Sequence, residues 1–269
     1  MMTDQTSAGR RHGQAVATSG PRVDAIVSRA ISLVALRGKT RPREIDPDMV
    51  AHLRANLGEA GRQIDGQAIA PLLAGGLTRE EIADHYIPAL AREMGEDWVA
   101  DRAGFAEVSV VVCKLQALLR QLGPEWRADH SSLPSAPTAL VLVADDETHT
   151  LGAQIASGQL RRAGLSVKVR LGCSRQDLQA LLHVGTYDLV LLSAAREESL
   201  VGVRRLIETA RTFSGASVPM VVGGAVVGTG PDIKAFTGAD HSTNDIHEAL
   251  HLCGATSSQD VRVHLDRRA

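Results

Sequence analysis

The side chain best placed to do chemistry in this sequence is His149, in the stretch Glu147-Thr148-His149-Thr150-Leu151-Gly152. A neutral imidazole is a suitable ligand for a first-row transition metal. Its second ring nitrogen then wants an acceptor, which fixes the tautomer and raises ligand basicity, and Glu147 is the natural candidate. Taken alone, such a histidine is more often a cap or surface residue. Two later landmarks change that reading. Ser193 closes the apolar run 188–192, and Gly223-Gly224 closes the run 218–222. Forty residues, 153 to 192, separate Gly152 from Ser193, and 27 residues, 196 to 222, separate Ala195 from Gly223.

These residues meet only if the chain between them folds back repeatedly, and its patterning predicts that it does. Strand signals over 138–144, 165–170, 189–192, 218–222 and near 239–241 alternate with helix signals over 153–163, 177–182, 199–213, 232–236 and 245–252. Continuous Val/Leu runs indicate strands buried on both faces, so the expected fold is α/β with a five-stranded parallel, flavodoxin-like sheet. In such sheets ligands sit outside the carboxyl ends of the strands. The His149 loop, Ser193 and Gly223-Gly224 should therefore share one edge.

The first half reads as helical. Apolar residues at 23, 26, 27, 30, 31, 34 and 35 form a helical stripe. Asp46-Pro47 reads as an N-cap and helix-starting proline, opening a helix through Leu57. A helix over 67–74 is closed by Gly75-Gly76, and Thr78-Arg79-Glu80-Glu81 has capping-box form. Pro88 should break or kink the following run, and a long helix is expected over 105–122. The expected organisation is a polar tail (1–21), a helical bundle (22–123), a Pro/Ser-rich linker (124–137) in which Trp126 packs against one domain, the α/β domain (138–254) and a second tail (255–269).

A formal charge of −2 and 3% aromatic residues give no case for direct nucleic-acid binding. No apolar stretch is long enough to span a membrane, and the amino terminus lacks the apolar core of a secretory signal. Three scattered cysteines (Cys113, Cys173 and Cys253) fit a reducing, cytoplasmic setting. His247-Glu248-Ala249-Leu250-His251 is formally a zinc-peptidase motif, but its position on the last helix of an α/β domain favours a solvated helix face.

The set Glu147-x-His149-x-x-Gly152, Ser193-x-Ala195 and Gly223-Gly224 closely resembles the cobalamin (B12)-binding domain, whose pattern is Asp-x-His-x-x-Gly, Ser-x-Leu and Gly-Gly at these separations. Glu147 stands where the family has Asp, and Ala195 where it has Leu. The resemblance covers roughly residues 137 to 254. It implies base-off cobalamin with His149 as lower axial ligand of cobalt and the cofactor's nucleotide tail inserted beside the strand ends. Ser193 would hydrogen-bond that tail, Gly223 and Gly224 would let it approach the backbone, and Gly152 would let the chain pass close to the corrin. Thr148, Thr150 and Leu151 complete the expected contact loop. The preceding helices resemble the cap of corrinoid proteins, with Trp98 in the position that shields the upper face of the ring.

Photoreceptor-type cobalamin repressors carry Glu-His about ten residues beyond that tryptophan; here the pair is Glu107-Val108. The wording Trp98…Phe105-Ala106-Glu107-Val108…Leu115-Gln116 is instead similar to the AerR/PpaA group of cobalamin-binding regulators of photosynthesis genes. That implies a non-enzymatic, light- or redox-responsive regulator acting on a partner transcription factor, antirepressor-like. The alternative is a corrinoid carrier of a methyltransferase system. The upper axial ligand and the oligomeric state stay open at this level.

Overall fold

The computed structural model describes residues 44–58, 68–123, 126, 136–214, 218–228 and 232–254. The helical stripe at 23–35, the two expected tails, Thr229-Gly230 and most of the linker lie outside the described residues.

Strand β1 (Thr138–Ala144) is buried along nearly its whole length. It is flanked by β2 (Ser166–Cys173) and β3 (Leu189–Ser193), followed by β4 (Met220–Gly223) and β5 (His241–Ser242). The sheet order is β2-β1-β3-β4-β5, with each pairing parallel. This is the flavodoxin-like order, whose topological switch point lies between β1 and β3. Successive strand residues face opposite sides of the sheet. Leu140, Leu142, Val190, Leu192, Met220 and Val222 pack on one side, and Ala139, Val141, Val143, Leu189, Leu191 and Val221 on the other. Both sides are helix-covered, which is why the strands read as unbroken apolar runs.

The cap contains α1 (Pro47–Gly58), α2 (Ala70–Ala74), α3 (Arg79–Glu81), α4 (Ile87–Val99) and α5 (Phe105–Leu122). Asp46 Oδ1 accepts from the amide of Asp48, as an N-cap should. The Thr78–Glu81 capping box is present in both directions. In the sheet region, α6 (Leu151–Arg162) and α7 (Arg175–Val184) follow β1 and β2; α8 (Leu200–Ser214) and α9 (Ile233–Thr237) follow β3 and β4. A last helix covers residues 246–254.

Two expectations need refining. Of the two outcomes expected at Pro88, a break or a kink, the chain shows no break but a local distortion just before the proline. The wide turn Ile82–Tyr86, in which the amide of Ile87 reaches back to the carbonyl of Ile82, joins α3 to α4 without a gap. A π-type turn shifts the hydrogen-bond register by one residue, which accommodates a proline whose ring would clash in a regular helix. The second strand also runs to Cys173, three residues beyond the expected end. Its pairing with β1 shifts register between Leu142 and Ala144; residues 170–172 are exposed on this edge strand, whereas Cys173 is buried and ends the alternation Val167, Val169, Leu171, Cys173.

Helix α6 belongs to both halves. Ala153 and Leu160 pack toward the sheet, whereas Ile155 and Leu151 join the cap core of Leu53, Leu72, Ile87, Leu90, Leu115 and Leu119. Trp126 lies buried against the same helix, so close that a Cβ on Gly158 would stand 2.3 Å from its indole. The Arg162 guanidinium sits 4.8 Å from the centre of that ring and forms an ion pair with Asp84 of the wide turn. The linker tryptophan thus packs against both halves.

Candidate functional site

The loop after β1 is organised by a buried carboxylate. The Glu147 side chain has no solvent exposure. Its Oε1 accepts from the amide of His149 at 2.7 Å and lies 2.6 Å from His149 Nδ1; Oε2 accepts from the amide of Ala195 at 2.9 Å. Burial alone would raise the Glu147 pKa. The amides of Ala195 and His149, then the imidazole and the Ser199 hydroxyl, outweigh it and hold the group at about 2. Ser199 Oγ is fully buried beside this carboxylate without a hydrogen bond of normal geometry.

The tautomer of His149 follows from this charge. An ionised carboxylate only accepts, so Nδ1 carries a proton, and in the neutral ring the lone pair is then on Nε2. The His149 side chain is 53% exposed, so the ring is anchored on one side and open on the other. This arrangement suits an imidazole metal ligand with its orienting acceptor already in place. The extra methylene of Glu147 over an aspartate does not lengthen the bond, and it carries Oε2 to the β3 loop. The two positions that depart from the expected pattern, Glu147 and Ala195, are hydrogen-bonded to each other.

The switch point brings the other expected residues together. A Cβ on Gly152 would lie 3.8 Å from Ser193 Oγ, so the start of α6 and the end of β3 adjoin. Ser193 pairs in register with Gly223 on the next strand. Thr148 is exposed at the loop tip, and Leu151 leans into the cap core. Gly224 has φ +112°, and a Cβ there would stand 2.1 Å from the carbonyl oxygen of Ala194. That glycine is therefore required by the chain's own packing between β3 and β4, before any ligand approaches. Its amide donates to Asn244 Oδ1 at 2.7 Å.

Trp98 is not a bundle-core indole. It is 49% exposed at the end of α4, and its ring lies 6.4 Å from that of Phe105, which is 73% exposed. Its neighbour Asp97 is buried, held by Arg54 (2.6 Å) and Arg102 (2.6 Å), and its carbonyl caps the turn through the amides of Arg102 and Ala103. The aromatic pair is thus mounted on a fixed corner and largely exposed. Gln116 was not legible as a contact residue: its Nε2 donates to Thr150 Oγ1 at 3.0 Å, joining the cap to the residue beside His149. Ser199 was also missed, because nothing local separates it from any other helix-start serine. The His247 and His251 rings are on an exposed helix face, and the Glu248 carboxylate is taken by the Thr243 hydroxyl. No metal-binding group of three or more His, Cys, Asp or Glu occurs among the described residues.

The site is thus a strand-end imidazole at the switch point of a flavodoxin-like sheet, joined to a helical bundle by the Gln116–Thr150 contact. Residues 137–250 match the B12 binding domain family. The chain is 35% identical over 167 residues to an uncharacterized 20.5 kDa protein in the bchF–crtJ intergenic region of Rhodobacter capsulatus, covering 62% of this chain and 87% of that one. The monomethylamine corrinoid protein of Methanosarcina barkeri shares the fold with a TM-score of 0.60 at 18% identity, over 78% of this chain and 96% of its own. The chain thus carries a B12 binding domain over residues 137–250, belongs to one family with the Rhodobacter protein, and has cobalamin as its cofactor. No described helix is long and apolar enough to cross a membrane.

Proposed function

We propose that the chain is a cobalamin-dependent regulator in which His149 Nε2 takes the lower axial position on cobalt, and that it acts through a partner transcription factor. The observation that carries the site assignment is the Glu147–His149 pair, with Nδ1 tied to a buried carboxylate and Nε2 left open. The residues fit the group: one imidazole donor, an adjoining serine and close-packed glycines at the strand ends, and exposed aromatic surface on the cap. When bound, cobalamin supplies a cobalt centre whose upper ligand responds to light and redox state.

In this reading Glu147 holds the proton on Nδ1 and the ring in one orientation. Ser193 hydrogen-bonds the inserted nucleotide tail, and Gly152 and Gly223 keep that passage free of side chains. Trp98, with Phe105 beside it, covers the upper face. The relative encoded between bchF and crtJ and the similarity to the AerR/PpaA group support a regulatory role in photosynthesis-gene expression. The fold shared with a corrinoid protein keeps the methyl-carrier reading as the second one.

The test is to load the protein with adenosylcobalamin in the dark and measure its affinity for a redox-responsive photosynthesis-gene repressor before and after illumination. The regulator reading expects a change in affinity that persists after the light is turned off. Unchanged affinity, together with methyl exchange between methylcobalamin-loaded protein and a methyltransferase, would favour the carrier.

A further inference from the structure

We propose that Gln116 is a positioning residue that couples the seating of the cap to the geometry of the His149 loop. The inference rests on the reading of His149 as cobalt ligand and names how that site is controlled. Three observations carry it. First, Gln116 donates to Thr150 Oγ1, and Thr150 stands between His149 and the first residue of α6, with Gln154 Nε2 reaching the same oxygen at 3.5 Å. The bond therefore crosses from the cap to the backbone that carries the imidazole.

Second, Phe105, Ser109, Val112 and Gln116 lie on one stripe of α5, at spacings of four, three and four. The exposed Trp98–Phe105 pair and the Gln116 contact are thus at two ends of one helix face, about 16 Å apart along its axis. An 18-residue helix moves as a rod, so a displacement at the aromatic end reaches Gln116.

Third, the two ends of α6 are held differently. Around residues 155–162 the cap is fixed by Ile155 in its core, by Trp126 on Gly158, and by Asp84 on Arg162. At the Thr150 end the holds are weaker: Leu151, only partly buried against the cap core, and a neutral hydrogen bond between partly exposed groups. A cap that moves will pivot at the first end and part at the second, next to His149. A change at the upper face is then felt at the lower ligand, and a fixed lower ligand favours the seated cap.

The experiment is a double-mutant cycle on the full chain, read as hydroxocobalamin affinity, with amide exchange of the cofactor-free protein as a second readout. Gln116→Ala should weaken affinity by about two- to tenfold, the worth of one hydrogen bond. In a His149→Ala background it should have no further effect, since the residue acts through the imidazole loop. Thr150→Val, which removes the acceptor at nearly constant volume, should reproduce both results. In the cofactor-free protein either variant should speed exchange of the 148–152 amides while leaving the β1 amides unchanged. Equal losses with and without His149, or unaltered loop exchange, would overturn the proposal and make Gln116 an ordinary packing residue. Absence of cobalamin binding by the unsubstituted protein would instead sink the underlying site assignment.

Discussion

The strand-end half of the site and the cap half are built to different standards of readiness. Glu147 is buried, ionised and hydrogen-bonded by two amides and an imidazole, so the His149 ring is oriented before any cofactor arrives. The cap presents Trp98 and Phe105 with about half or more of each side chain in water. Exposed aromatic surface of this kind gains most from being covered. Under the proposed assignment, a preorganised His149 would give cobalt a fixed lower ligand, whereas the open aromatic corner would be free to respond to what cobalt carries.

Four substitutions break or sharpen that contrast. The largest effect is expected from Gly224→Ala, which sets a Cβ against the Ala194 carbonyl at a φ that L-residues rarely adopt; it should cost about 4 kcal/mol in denaturant unfolding. A loss below about 1 kcal/mol would mean that the β3–β4 edge is not rigid. Asp84→Ala strands the Arg162 guanidinium at the cap–α6 junction and should cost about 3 kcal/mol. Replacing both members of the pair by apolar residues should cost much less.

Glu147→Gln comes third, at about 1–2 kcal/mol, because Oε2 and Oε1 lose charge-assisted hydrogen bonds. It also carries a pH signature. The folded-state pKa is depressed, so the contribution of Glu147 is complete above about pH 4.5 and is lost as pH falls toward about 2. The Gln variant should lack that part of the acid-unfolding profile; an unaltered profile would contradict the buried-anion account. Trp98→Ala should change stability by less than about 1 kcal/mol, since the ring is half exposed, yet weaken cobalamin binding. Equal binding would remove Trp98 from the upper face.

What was legible in the sequence tracks how local each cause is. Thr138–Ala144 and Leu189–Ser193 announce themselves because both faces of the sheet are covered, and the Thr78 and Asp46 caps because capping acts within three residues. The spacing of His149, Ser193 and Gly223 was readable because the sheet order places those strand ends side by side. Residues 171–173 carry a period-2 signal, with Leu171 and Cys173 continuing Val167 and Val169, but the register shift beside Ala144 leaves no such mark. At Pro88 the choice between a break and a kink stayed open, because the register shift at Ile82–Tyr86 leaves no mark in residue type. Glu147–Ala195, Gln116–Thr150 and Asp84–Arg162 join residues 34 to 78 positions apart, and polar pairing at that range has no sequence period. Gly224 was read as making room for a ligand, whereas its own neighbour Ala194 already demands it.

The most direct measurement is the visible absorption spectrum of the protein loaded with hydroxocobalamin, compared with that of His149→Ala. The account predicts a base-off, histidine-ligated spectrum in the first and its loss in the second, with far-UV circular dichroism unchanged. Bound cofactor with the same spectrum in both proteins would show that His149 is not the lower ligand of cobalt.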